Sequence, residues 1–191
     1  MDHDATRTGI LDAAEELFYA QGIQTVRMDA VRSASGVTLR RLYQYFPSKG
    51  ELVEAYLLRR DGRWREELAA HVVGAAAGPG GRILAVFDWL ADWFAQPDFR
   101  GCAFVNAFGE LGATAPEVAA AARHHKDEFA AYLAGLAEAA GAPPATGAHL
   151  TLLAEGAITA AAIRGDATPA AEAKGAARVL LRAAGVQGVE V

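Results

Sequence analysis

Hydrophobic residues recur every three to four positions through most of the chain, and the breaks between these stripes predict an all-α fold. Ile10, Ala13, Ala14, Leu17 and Phe18 form the first stripe, which Gly22 closes. Met28, Val31 and Ala34 form a shorter one, with Thr25 or Arg27 as alternative starts and Gly36 as its end. Thr38 then suits the cap of a third helix. Its Leu39, Leu42 and Phe46 are expected to face inward, leaving Arg40, Arg41, Gln44 and the phenols of Tyr43 and Tyr45 outside. Two short helices around a glycine turn, with Val37 filling the angle, follow helix-turn-helix grammar. Ser48 and Glu51 spell a capping box that opens a helix through Leu52, Tyr56, Arg59 and Arg63 toward about Val73.

The composition changes at residues 74–81, GAAAGPGG, which read as a loop. Beyond it Ile83, Val86, Phe87, Leu90, Trp93 and Phe94 make an amphipathic stripe with Trp89 alongside, and Pro97 ends it. Three aromatic rings within six residues (Trp89, Trp93, Phe94) suit plain core and a pocket wall equally. Gly101 opens a short helix on which Cys102, Asn106 and Glu110 stack at four-residue spacing. Pro116 begins a long one to about Ala140, with Val118, Ala122, His125, Phe129, Tyr132, Leu133 and Leu136 on its apolar face. Adjacent His124 and His125 diverge by about 100° on a helix, so they do not form a metal pair, and no metal or cofactor is expected.

Two further helices, near 146–164 and 168–184, follow Gly141–Pro144, the second with Thr168 as cap and Pro169 at its first position. Leu152, Leu153, Ala157, Ala160, Ala161 and Ile163 on one, and Ala173, Ala176, Ala177, Leu180, Leu181 and Ala184 on the other, make broad faces of small residues. Helices approach closely across such faces. The pair is too apolar to finish in water alone and packs either within the chain or against a second subunit; on the second arrangement a charge at Ala161 or Ala177 is expected to separate the subunits.

Charge sharpens this picture. The net charge of −5 argues against nucleic acid until it is divided along the chain. Residues 27–49 hold Arg27, Arg32, Arg40, Arg41 and Lys49 against Asp29 alone, 5 − 1 = +4, whereas residues 66–191 hold 8 basic and 14 acidic groups, 8 − 14 = −6. The basic charge is therefore local to the helix-turn-helix. A single cysteine, Cys102, and a polar start without an apolar signal core predict a reduced, cytoplasmic protein. No apolar run is expected to reach the roughly 18 residues that span a bilayer.

The run GVTLRRLYQYFPSKGEL, with the helices before it, resembles the DNA-binding domain of TetR-type transcriptional regulators over roughly residues 6–56. Arg32 and Ser35 stand where that family usually has alanine and Arg40 where it often has glycine, so Arg32 must snorkel to the surface or face DNA. The segment Phe99-Arg100-Gly101-Cys102 with Asn106 and Glu110 is similar to a ligand-domain signature of one branch of the same family. The resemblance implies a helix-turn-helix DNA-binding domain over 1–47. It implies a ligand-binding and dimerisation domain over 48–191, reached through a linking helix at about 48–73. It also implies a homodimer through the last two helices.

On this reading Thr38, Leu39, Arg40 and Gln44 enter the major groove of a double-stranded operator, with Arg27, Arg41, Tyr43, Tyr45 and Lys49 at its flanks. A small lipophilic or aromatic effector is expected among Trp89, Trp93, Phe94, Cys102, Asn106, Glu110, His125, Phe129 and Tyr132. Asn106 is then the best hydrogen-bonding group, and Glu110 pairs a cation if it faces inward. An all-α enzyme and an interaction bundle are the rival classes. No nucleophile, base and orienter stand at recognisable spacing, and the basic groups of a reading helix are all present.

Overall fold

The computed structural model describes residues 3–75 and 78–189, and among these it contains helices and no strand. The order is α1 (His3–Gln21), α2 (Met28–Ser35), α3 (Leu39–Tyr45), α4 (Lys49–Ala75), α5 (Pro79–Phe94), α6 (Ala103–Leu111), α7 (Pro116–Ala139), α8 (Ala145–Arg164) and α9 (Thr168–Ala183). The all-α expectation is met. Two compact units emerge, Met1–Gly62 with Ala103–His124, and Arg63–Cys102 with His125–Val191. Helices α4 and α7 each begin in the first unit and end in the second.

In the first unit, Ile10, Leu11, Ala14 and Phe18 of α1 are buried, as are Val31 of α2, Leu42 of α3 and Leu52, Val53, Tyr56 and Leu57 of α4. Two arginines near the middle of α4 fix it to α1. Arg59 reaches Asp12 at 2.8 Å and Glu15 at 3.0 Å, while Arg60 meets Glu15 at 2.7 Å and lies 4.1 Å over the Tyr19 ring. Ion pairs that share a half-buried carboxylate are held in one geometry far better than a lone surface pair.

The second unit is built on aromatic and small residues. Helix α5 is nearly all core, with Ile83, Val86, Phe87 and Leu90 almost fully buried, and it packs against α8 and α9. Helices α8 and α9 pack on one another through Ala154, Ala157, Ile158 and Ala161 facing Ala170, Ala173, Ala177 and Leu181.

Several local expectations need correcting. The predicted loop at 74–81 is mostly helix, because alanines extend α4 to Ala75 and Pro79, with its fixed φ, sits at the first turn of α5; residues 76 and 77 lie outside the described residues. Helix α2 is capped by the backbone of Arg27 without a side-chain bond. Ala167, and not Thr168, stands at the cap of α9, and the Asp166 carboxylate before it accepts from the Thr168 N–H at 2.8 Å. Leu39 is 44% exposed, since it lies on the first turn of α3 before the helix reaches the core.

The small-residue stripes of α8 and α9 also split into two faces. Ala161 and Ala177 belong wholly to the intrachain core, so a charge there breaks the fold and not a dimer. Leu152 and Ile163 of α8 and Val179 of α9 point outward, at 71%, 81% and 66% exposure. By length and composition α8 is a described helix able to cross a bilayer, contrary to the sequence expectation, because alanine and leucine dominate it. Its Glu155, paired with Lys126 at 2.6 Å, and its packing on α5 and α9 mark it as a bundle helix.

Candidate nucleic-acid interface and sensing site

Gly36 turns the chain between α2 and α3 with φ 69°, a conformation that residues with a Cβ rarely adopt. Thr38 then caps α3, its hydroxyl accepting from the Arg41 N–H at 3.2 Å. Leu42 and Phe46 anchor α3 inward, and a continuous exposed row remains: Thr38, Leu39, Arg40, Tyr43 and Gln44. Arg27 is exposed as well.

Three of the predicted flanking residues are tied to the protein. The Arg41 guanidinium donates to the Thr6 hydroxyl at 3.4 Å and sits 5.9 Å from the half-buried Tyr45 ring. Lys49 opens α4 and donates to the Gln24 carbonyl at 3.4 Å; burial lowers its pKa, against the opposing charge of Glu110. Arg32 snorkels, as its size demands: it pairs with Asp29 one turn back at 2.7 Å, and that hydrogen bond holds the Asp29 carboxyl below its usual range.

Sequence reasoning missed what holds the turn between α1 and α2. The N–H groups of Ile23 and Gln24 donate to the two carboxylate oxygens of Glu110, at 3.0 and 2.7 Å, and the Gln24 side-chain amide donates to the Glu110 carbonyl. These are N–H groups left over after α1 ends, and an ionised acceptor from α6 satisfies both. Gly22 makes room, since its φ is 84° and a Cβ there would stand 3.2 Å from a carboxylate oxygen. Glu110, Lys49 and Gln24 thus form one node joining α1, α4 and α6 within the first unit. The only signal in the sequence was a glycine before Ile23 and a lone acid late in a short helix.

The nine residues predicted to line a sensing site do not gather as one set. Trp89, Trp93, His125 and Phe129 stand edge-on to Trp64 of α4, with ring centroids 5.0, 5.8, 5.0 and 5.1 Å away. Phe94 and Phe99 extend this cluster past Trp93, at 5.9 and 5.0 Å. Trp64, the centre of the cluster, was read only as part of a linking helix. Tyr132 is half-buried, and burial raises its phenol pKa, with Arg82 opposing. Cys102 is buried, and the Lys126 ammonium donates to its sulfur at 3.3 Å. Asn106, exposed on α6, and Glu110 belong to the first unit. His124 turns to Asp61 at 3.7 Å while His125 is buried. Among the described residues no three potential ligands come together as a metal set.

Residues 10–56 match the family model for bacterial regulatory proteins of the tetR family. Over 57 residues the chain is 39% identical to the HTH-type transcriptional regulator SrpR of Pseudomonas putida; the match spans 30% of this chain and only 27% of that protein. Over nearly the whole chain the fold matches that of a TetR-family transcriptional regulator from Streptomyces coelicolor. The TM-score is 0.87 and the identity 30%, covering 95% of this chain and 96% of that one. A TetR-type regulator from Streptomyces avermitilis gives a TM-score of 0.81 at 30% identity, covering 95% and 99%.

Proposed function

Because the chain belongs to the TetR family of transcriptional regulators, we propose that it is a ligand-responsive repressor that binds a near-palindromic operator as a homodimer. Residues 1–47 read the DNA, and residues 48–191 sense the effector and dimerise, with about 48–73 as the link. The observation that carries this reading is the exposed row of α3. Arg40 and Gln44 have the donor and acceptor geometry that discriminates guanine and adenine in the major groove. Thr38 and Leu39 enter beside them. Tyr43, Arg27 and the partly tied Arg41, Tyr45 and Lys49 serve the phosphates and the orientation of α3.

Regulators of this family bind DNA operators and form dimers. Here the outward Leu152, Ile163 and Val179 support pairing through α8 and α9 of a second copy, an isologous contact that sets two reading helices against two half-sites. The effector is assigned to the aromatic cluster of the second unit, where Trp89, Trp93, His125 and Phe129 surround Trp64, Phe94 lies beyond Trp93, Tyr132 follows Phe129 on α7 and Cys102 lies beside Lys126. A preference of about 1–3 kcal/mol for the conformation with wrongly spaced heads is enough for release. Helices α4 and α7 carry such a shift along the backbone, since each runs through both units. Asn106 and Glu110 act in this scheme on the head side.

The test is operator selection from genomic fragments, followed by binding measurements at several salt concentrations. Arg40→Ala is expected to lose about 1–3 kcal/mol of base discrimination while keeping non-specific affinity. Ile163→Glu is expected to stay folded and sediment as a monomer of 20.0 kDa. Unchanged sequence preference in the first variant would remove α3 from the reading role.

A further inference from the structure

Trp64 is 7% exposed, and its Nε1, fully shielded, has no hydrogen-bond partner. An indole nitrogen only donates, and a buried donor left unmatched is costly. Three of the four rings around it, Trp89, Trp93 and Phe129, offer a water almost no polar partners, His125 being the polar one. His71, seven residues on and therefore on the same side of α4, also has a shielded Nε2 without a partner. Three carboxylates of this unit are held in ion pairs: Glu128 by Arg65, Glu155 by Lys126 and Asp88 by Lys174. A cationic ligand thus finds no open counter-charge among these three. Trp93 and Phe99 are only half-buried, so the cluster opens on their side.

We propose that the effector is an uncharged planar aromatic compound bearing a carbonyl-type oxygen, and that this oxygen accepts the Trp64 indole N–H while the ring system slides against Trp89 and Phe129 as Trp93 swings aside. This rests on the placement of the effector site in the aromatic cluster and names the chemistry that the site selects. The rings supply affinity without orientation, and the single N–H supplies orientation.

Two probes of nearly equal shape separate these roles. 2-Acetylnaphthalene carries the acceptor and 2-ethylnaphthalene lacks it. In equilibrium dialysis against the full-length protein, the ketone is expected to bind roughly tenfold more tightly. In a ¹⁵N-labelled sample one indole N–H resonance should move downfield with the ketone and not with the hydrocarbon. Trp64→Phe, which keeps a ring and deletes the donor, should bind both probes equally and lack that resonance. Should Trp64→Phe fail to fold, the two-probe comparison and the indole resonance in the wild-type protein decide alone. Equal affinities in the wild type, or a preference that survives in Trp64→Phe, overturn the proposal but leave the site standing, the N–H then resting on a ring face. Failure of both probes to bind, or affinities unchanged in Phe129→Ala, overturns the site and the proposal together.

Discussion

The turn between α1 and α2 and the aromatic cluster around Trp64 both confront N–H groups that no regular helix satisfies, and they resolve the problem oppositely. In the first, two backbone donors are met by one carboxylate from α6, far along the chain, with a lysine close by. In the second, a shielded indole donor faces rings. Hydrogen bonds to charged groups fix position and direction, whereas ring packing fixes volume and leaves orientation loose. The turn is finished without a ligand. The cluster leaves the Trp64 donor open.

The comparison breaks most violently where small residues are replaced in the body. Ala161→Glu or Ala177→Glu buries an unpaired carboxylate between α8 and α9 and is expected to cost about 4 kcal/mol or more, enough to abolish the cooperative thermal transition. Ile163→Glu, two residues from Ala161 but exposed, should leave the helical signal intact; if it unfolded the chain too, the division of α8 into an inner and an outer face would be wrong.

Glu110→Ala tests the other side. It leaves the Ile23 and Gln24 N–H groups without their acceptor, at about 1–3 kcal/mol. These two amides should exchange with deuterium faster while the Trp64 cluster keeps its fluorescence. Operator affinity should fall without a change in base preference, because the turn orients α2 and α3 and touches no base. The smallest effect is expected at Asp166, whose carboxyl is held below its usual range by the Thr168 hydrogen bonds. A carboxylate of depressed pKa stabilises the fold above its unfolded value and ceases to do so as pH falls through its folded value. Asp166→Ala should therefore lower Tm slightly at pH 7, and the difference should shrink as pH falls through the folded value and vanish where both forms are protonated.

Elements governed by local chemistry were legible in the sequence. Thr38, Gly36 and the Ser48–Glu51 pair act through bonds to residues within four positions, and the structure places them as the spacing implies: the Glu51 N–H donates to Ser48 at 3.1 Å. Periodicity also found His125 and Phe129 on the inward face of α7. What stayed hidden depends on contacts across the chain. Stacking at four-residue intervals put Cys102, Asn106 and Glu110 on one helix face, but α6 begins after Cys102, and the three residues have different neighbours. Trp64 escaped notice because it lies alone among charged residues on α4, with its ring partners on α5 and α7. A stripe of alanines states that helices approach closely and not from which side, which is why the inner and outer faces of α8 were merged.

The inward tie of Arg41 separates two evolutionary burdens. Thr6, Tyr45 and Arg41 hold α3 on its support, while Arg40, Tyr43 and Gln44 beside them hang over solvent with no structural duty in the free protein. On the proposed reading of α3, substitutions in that outer row change which promoter is recognised at almost no expense in folding, so a duplicated copy of this gene has an open route to new targets. Position 41 offers no such freedom: a variant there loosens α3 before it has acquired anything else to read.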